Sequence, residues 1–298
     1  MRCTRILQLA AALTAFVALL PIAMADEDSA EQEFSYPPGP LEEVVVSEFR
    51  ISSVQELDSS ITVLNRDTIR SATLQHFEEL ISLVPNMNFS GDGSRARYFQ
   101  MRGIGELEQY EGAPNPSIGF VVDDIDLSGV GGISSVFDID RVEVLRGPQA
   151  TRFGASALAG MVYVQSADPT DELDVNAEAL LGNEDTWAAG VAVGGGLGES
   201  LSGRFSIRQF KGNGFYDNVA LGIDDSNGRD ELAGRGKLLW DMGNEWQAKL
   251  SLLYADFDNG YDAWSPENGR ITYSDNPGRD EQQTSGGSLK FTGPIGEA

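Results

Sequence analysis

Residues 245–254 read E-W-Q-A-K-L-S-L-L-Y and alternate, Leu253 apart. Trp246, Ala248, Leu250, Leu252 and Tyr254 fall on one side of an extended chain, and Glu245, Gln247, Lys249 and Ser251 on the other. A period of two belongs to a strand with one apolar and one polar face; a helix would repeat every 3.6 residues. The pattern recurs. Residues 174–181 set Val175, Ala177, Ala179 and Leu181 against Asp174, Asn176 and Glu178. Residues 201–210 set Leu201, Phe205 and Ile207 against Ser202, Arg204, Ser206 and Arg208. Residues 231–240 set Leu232, Leu238 and Trp240 against Glu231, Arg235 and Lys237, residues 186–195 are a glycine-rich instance, and 287–292 a sixth. Strands near ten residues long, with Trp246 and Tyr254 at opposite ends of one apolar face, suit the wall of a membrane β-barrel with its interfacial aromatics. A soluble β-sandwich is the alternative, but it uses shorter strands and needs no aromatic at each end of the apolar face.

The connections fit the same picture. Residues 182–185, 195–200 and 241–244 are short links, whereas 211–230 and 257–286 are long and polar. The long links are two connections apart and emerge on one side, the asymmetry of an outer-membrane barrel. Residues 293–298 echo the link at 195–200, which predicts that the chain stops after about six strands. A barrel wide enough to enclose a plug has about 22. The expectation is therefore an incomplete barrel over 170–298, the first portion of a longer protein.

The other end reads as an export signal. Arg2 and Arg5 precede a mostly apolar run over 6–20, and Ala23-Met24-Ala25 forms an A-x-A site with cleavage expected before Asp26. The apolar run falls short of the ~20 residues of a membrane-spanning helix. Residues 1–25 are thus a signal peptide. Residues 26–40 are acidic, end in Pro37-Pro38-Gly39-Pro40, and form a flexible leader. Val44, Val45 and Val46 then form either an ordinary first strand or a strand held ready for another protein's sheet edge.

Charge and composition exclude several functions. With 46 acidic against 21 basic residues and a net charge of -25, the chain is no nucleic-acid binder. Cys3 is its only cysteine and His76 its only histidine, so disulfides, cysteine-based metal sites and histidine clusters are ruled out. No nucleophile, base and orienting group come together, so no enzyme, cofactor or metal centre is expected. Residues 61–64 form a strand, and a helix follows from Asn65 or Asp67 with Phe77, Leu80, Ile81 and Val84 on its apolar face. His76 is placed on its polar side. Residues 86–116 are rich in turn formers, with 98–104 extended and 105–116 an exposed loop. Residues 118–122 form a strand that ends in an aspartate turn at Asp123 and Asp124. Gly129, Gly131 and Gly132 fail the G-x-G-x-x-G pattern of a dinucleotide loop. Residues 141–166 read as strand, Gly147-Pro148 turn, small-residue loop and second strand.

Five stretches together carry a resemblance: the signal peptide, E-E-V-V-V-S at 42–47, L-V-P-N at 83–86, Q-M-R-G-I-G at 100–105, and D-R-V-E-V-L-R-G-P-Q-A-T-R-F-G-A-S-A-L-A-G-M-V-Y-V at 140–164. The chain resembles a TonB-dependent outer-membrane receptor. Ala155-Ser156 departs from the Arg-Asn pair common at this point of the family. The resemblance implies a mainly β protein, an α+β plug domain over 41–169 followed by antiparallel transmembrane β-barrel strands. It also implies residence in the cell outer membrane, in contact with its lipid. Glu43, Val44, Val45, Val46 and Ser47 match the TonB box, which TonB, energised by the ExbB-ExbD complex, would capture as an added strand. Arg102 and Arg146 match plug arginines that latch onto barrel glutamates, here expected beyond Ala298. Arg95, Arg97, Tyr98, Glu106 and Tyr110 are the expected cargo-facing residues of the plug apex. The leader is too short for a periplasmic signalling domain. The function implied is active uptake of a scarce nutrient, a ferric siderophore or similar chelate. A secreted or surface β-rich adhesin without transport is the alternative.

Overall fold

The computed structural model describes residues 60–91, 94–107, 116–130, 135–149, 156–262 and 264–294, all within the unit Glu43–Ala298. The signal peptide, the leader, the TonB-box match (Glu43, Val44, Val45, Val46 and Ser47) and Tyr110 lie outside the described residues.

The described part of the plug is one mixed sheet with two short helices and a hairpin. Its strands are β1 (Ser60–Asn65), β4 (Ile118–Val122), β5 (Ile125–Asp126), β6 (Ile139–Arg146) and β7 (Gly160–Ser166). They lie in the order β1-β6-β7-β4-β5, with β4 and β7 parallel and the other neighbours antiparallel. β4 and β7 read I-G-F-V-V and G-M-V-Y-V-Q-S, near-continuous apolar runs. Both faces of these central strands are covered, so no alternation is needed. Asp123 and Asp124 both have positive φ and make the tight turn between β4 and β5.

Asn65 caps α1 (Arg66–Ser71) by accepting from the Thr68 amide at 2.9 Å. The single helix expected over this region is instead broken. α2 (Phe77–Leu80) and a 3-10 turn (Ile81–Leu83) follow only after a kink in which Thr73 takes a φ of 54°. The break also reverses the reading of His76. It is buried rather than on a polar surface, and its Nδ1 caps α2 by accepting from the Glu78 amide. Phe77, Leu80, Ile81 and Val84 reach the core as their spacing predicts. There Phe77 meets Phe99 and Phe120 edge-on, at 5.4 and 4.9 Å between centroids, and those two stack on each other at 5.3 Å. Phe99 comes from the hairpin β2 (Met87–Ser90) and β3 (Tyr98–Met101).

The second sheet is the barrel wall. β8 (Asp174–Leu181), β9 (Trp187–Gly196), β10 (Leu201–Gly212), β12 (Arg229–Gly243), β13 (Trp246–Gly260) and β15 (Arg279–Thr292) pair antiparallel in chain order. Two short segments, β11 (Asp217–Asn218) and β14 (Ile271–Thr272), lie in the long links and pair with each other. The face expected to be apolar is the one turned outward: Val175, Phe205, Leu252 and Leu289 are each more than half exposed. Trp246 and Tyr254 lie about 27 Å apart along β13, close to the height of a lipid-facing band. The strands outrun their sequence signal. β15 begins at Arg279, eight residues before the expected start, because 279–286 are polar on both faces while their backbone still pairs with β13. β13 continues past Tyr254, and around that point its inward residues Leu253, Ala255 and Phe257 join the plug's own core.

Phe120 is fully buried at the centre of the aromatic trio. Phe120→Ala is expected to cost about 3–5 kcal/mol. The check is faster amide hydrogen exchange at Val144 and Val162, with the wall strands unaffected.

Candidate functional site at the seam between plug and wall

Inward positions on a wall strand recur every second residue, so a strand with one polar face aims a column of polar side chains at whatever fills the lumen. Here the column meets the plug with matched charge. On β10, Arg204 forks onto Asp138 of the plug, with Nε and Nη2 donating at 2.8 and 2.6 Å, while Nη1 donates to Asp174 on β8 at 2.6 Å. Arg208 donates to Glu178 on β8 and to Gln75 of the plug. On β12, Arg235 gives Nη1 and Nη2 to the carbonyls of Phe137 and Ser135, at 2.8 and 2.6 Å. Its Nε has no hydrogen-bond partner among the described residues. Lys237 donates to the Ser166 carbonyl at 2.7 Å and lies 2.8 Å from Asp123 and 2.9 Å from Asp168. Lys249 on β13 also reaches Asp168, at 3.0 Å, and Lys290 on β15 reaches Asp124 at 3.3 Å. Through most of this half the wall supplies the cations and the plug the carboxylates.

At the opposite end the signs reverse. Arg95 of the plug is buried and forks onto Glu231 at the start of β12, at 2.6 and 2.7 Å, while its Nη1 reaches Glu78. Burial opposes the Arg95 charge, but Glu231 and Glu78 more than compensate and raise its pKa above the ordinary arginine value. Asn259 on β13 donates to Glu231 and to Ser94 Oγ, both at 2.9 Å. Asp280 on β15 accepts from the Ser94 amide at 2.7 Å and from Arg97 at 2.6 Å. The segment 94–97 is thereby fastened to three successive wall strands. Above it the two long links form one lobe, knotted where Asp262 accepts from buried Asn218 and Thr272 at 2.9 and 2.8 Å.

These positions revise the expected site. Arg95 is no apex cargo contact: both its forks are consumed in the seam, and separating a buried guanidinium from its carboxylate is costly. Glu106 is occupied as well, accepting from the amide and hydroxyl of Ser117 at 2.9 and 2.7 Å. Arg97 and Tyr98 stay half-buried beside it. Arg102 is exposed at the tip of a two-residue turn between Met101 and Ile104, with φ of 54°, followed by Gly103 at 79°. Arg146 donates to Thr62 Oγ1 at 2.6 Å. Desolvation and the neighbouring Arg102 charge lower its pKa. Neither arginine pairs with a carboxylate among the described residues. The expected set omitted Glu231, Asn259, Asp280, Arg204, Lys237, Asp138 and Asp168. The wall members' one sequence signal was a charged or polar residue at an inward position, which names no partner; Asp138 and Asp168 carried no signal.

Lys237→Met would leave Asp123 and Asp168 facing each other without their main cation. We expect a loss of about 3–5 kcal/mol in plug docking, read as a lower urea midpoint for the plug. The acid dependence follows from Asp168. Burial works against its charge, but Lys237 and Lys249 outweigh burial and hold its carboxyl below the ordinary range. Because the folded-state value is the lower one, this stabilisation is complete above the ordinary aspartate value of about 3.9 and is lost as pH falls through the depressed value. The urea midpoint should therefore drop in that acid window, and by less in Asp168→Asn.

Residues 53–161 match the family model described as TonB-dependent Receptor Plug Domain. The pesticin receptor of Yersinia enterocolitica is 25% identical over 261 residues, covering 85% of this chain and 37% of the receptor. The vitamin B12 transporter BtuB of Photobacterium profundum is 23% identical over 249 residues, covering 83% of this chain and 40% of the transporter. In fold, the ferric yersiniabactin uptake receptor FyuA of Yersinia pestis superposes with a TM-score of 0.70 at 22% identity, over 80% of this chain and 38% of that one. The ferripyoverdine receptor of the outer membrane of Pseudomonas aeruginosa gives 0.59 at 20% identity, over 79% and 32%. The chain thus spans about two-fifths or less of the length of these relatives. Residues 53–161 are thus a plug domain of the kind found in TonB-dependent receptors, and the plug sheet seated against an antiparallel wall shares the fold of these solved receptors.

Proposed function

We propose that this chain serves the active uptake of a scarce nutrient, a ferric siderophore or similar chelate, across the bacterial outer membrane. The observation that carries this reading is the seam. A plug held in a wall largely by ion pairs and hydrogen bonds is a stopper that water can help release, because each broken pair is rehydrated. An adhesin has no use for a releasable stopper. The names of the relatives, which include a ferric yersiniabactin uptake receptor and a vitamin B12 transporter, favour a small chelated cargo. Outward apolar residues between Trp246 and Tyr254 would face outer-membrane lipid.

In this reading Glu43, Val44, Val45, Val46 and Ser47 form the TonB box, captured by TonB as an added strand and energised through ExbB-ExbD. That mode depends on backbone hydrogen bonds, with side chains secondary. Arg102 and Arg146 form the second latch: two adjacent guanidiniums, one on a strained turn, are suited to an acidic partner on the wall. Arg97, Tyr98 and Tyr110 remain the apex candidates for cargo. Arg97 and Tyr98 are half-buried there, and Trp264 stands 84% exposed on the lobe of long links.

Val45→Pro in the full-length gene product removes one backbone donor from the coupling strand. Outer-membrane abundance should be unchanged, while growth dependent on the limiting nutrient falls to the level of a strain lacking TonB. Undiminished growth would rule out coupling through this segment.

A further inference from the structure

The outward face of the wall carries a groove of about 530 Å3, a size at which proteins hold small ligands. Its floor is glycine. Gly236 on β12 lies opposite Phe205 on β10 and Leu252 on β13. One row closer to the short links, Gly203 on β10 lies between Gly195 on β9 and Leu238 on β12. A Cβ at Gly236 would meet no atom within 4 Å, so the space above it is open. Phe205 and Leu252 stand out from the sheet as walls, and Leu173 and Leu197 bound the groove near the short links. The four strands that line it, β9, β10, β12 and β13, each have a neighbour on both sides, so the groove is not an edge of the sheet. Glycine inside a strand is unfavourable in itself and often marks a close approach by a ligand or another backbone.

Position selects the occupant. Leu252 lies between Trp246 and Tyr254, within the lipid-facing band, and the short links of such a wall face the periplasm. The groove thus runs from the periplasmic interface toward the middle of the bilayer, the course of an acyl chain in that leaflet. Between an apolar wall and apolar lipid there is no hydrophobic gain, so dispersion decides which contacts last. A chain lying over Gly236, between Phe205 and Leu252, touches protein on three sides; on a flat wall it touches protein on one. The rim has a single sign. Residues 169–173, 196–201 and 241–245 carry Asp171, Glu172, Glu199, Asp241 and Glu245, all exposed, and no lysine or arginine. These segments adjoin: the Gly196 amide donates to the Asp171 carbonyl at 3.0 Å, and the Asp241 amide to the Ser200 carbonyl at 2.8 Å. Trp240 stands half-exposed at the same end, an interfacial indole whose N–H can donate to a lipid ester. We propose that this groove holds one acyl chain of a phospholipid from the periplasmic leaflet, and that the acidic rim selects a headgroup with a free amine, as in phosphatidylethanolamine. The proposal rests on the reading that this face meets outer-membrane lipid, and adds to it a defined site, a leaflet and a headgroup.

The full-length receptor is purified in detergent, equilibrated with equal amounts of phosphatidylethanolamine and phosphatidylglycerol of the same acyl chains, and weighed by native mass spectrometry. One phospholipid per receptor should be retained, with phosphatidylethanolamine in about two- to fivefold excess, the range that exposed charge pairs support. Gly236→Leu puts a side chain into the open space and should lower retention at least about tenfold, as overfilling a packed site does. Glu172→Gln with Glu199→Gln should bring the headgroup ratio toward one while a lipid is still retained. A parent that retains no phospholipid, or undiminished retention in Gly236→Leu, overturns the site. A headgroup ratio of one or less in the parent overturns the amine selection. Lipopolysaccharide or a second receptor copy, held by the parent and lost in Gly236→Leu, overturns the occupant. If Gly236→Leu is not exported, Leu252→Trp, which closes the groove from its β13 wall, takes its place. Failure of the lipid-facing reading is seen separately, as a fluorophore on Leu289→Cys of β15 that brominated phospholipid does not quench in reconstituted vesicles.

Discussion

The fork of Arg204 on Asp138 is the interaction on which the rest of this arrangement turns. Both side chains are buried, one on the wall and one on the plug. Neither charge is tolerable in a dry site alone, because desolvating an unpaired guanidinium or carboxylate costs several kcal/mol. Lys237 with Asp123 and Arg95 with Glu231 repeat the logic at other heights of the seam. Plug and wall therefore each depend on the other for counter-ions. The overall charge of the chain hides this. A protein with 46 acidic and 21 basic residues still concentrates several of its cations on the lumen face, where the plug's acids meet them.

Polar matching alone would leave the plug free to slide. Its register is set by shape. Leu253, Ala255 and Phe257 extend the plug core into the wall. At Gly286 a Cβ would stand 2.6 Å from Ile125, so β15 approaches the β5 edge only because a glycine is there. The opposite edge of the plug sheet is different. Among the described residues β1 pairs only with β6, and Arg146, opposite Ser60, is held by Thr62 and the weaker contacts of Ser60 and Pro85. The β5 side of the sheet is thus locked to the wall strand β15.

The reversal of sign along the seam has a mechanical reading as well. Arg95 and Arg97 fasten the plug at the end carrying the long links, through Glu231 and Asp280, and the aspartates fasten it near its exit to the wall. A uniform charge on either partner would permit shifted registers, with each cation finding the next carboxylate along. Opposite signs at the two ends make such a shift repulsive, so the seated position is singled out electrostatically as well as sterically.

The sequence by itself determined the class of protein and most of its elements. The alternation at 245–254, broken only by Leu253, already identified a one-faced strand, and E-E-V-V-V-S with the stretch 140–164 pointed to the family. These signals survive in one dimension because a period of two and a Gly-Pro turn are local consequences of backbone geometry. Tertiary structure decided the rest. His76 looked like a surface residue because its neighbours are Glu78 and Glu79, but a break in the helix turned it inward as a cap. Residues 279–286 carried no alternation, since a strand polar on both faces is held by its ladder alone. Arg95 looked like an apex residue and is a latch, because its partner Glu231 lies 136 positions away. Ion pairs join residues at distances set by the fold, and no spacing along the chain encodes which carboxylate a buried arginine will find.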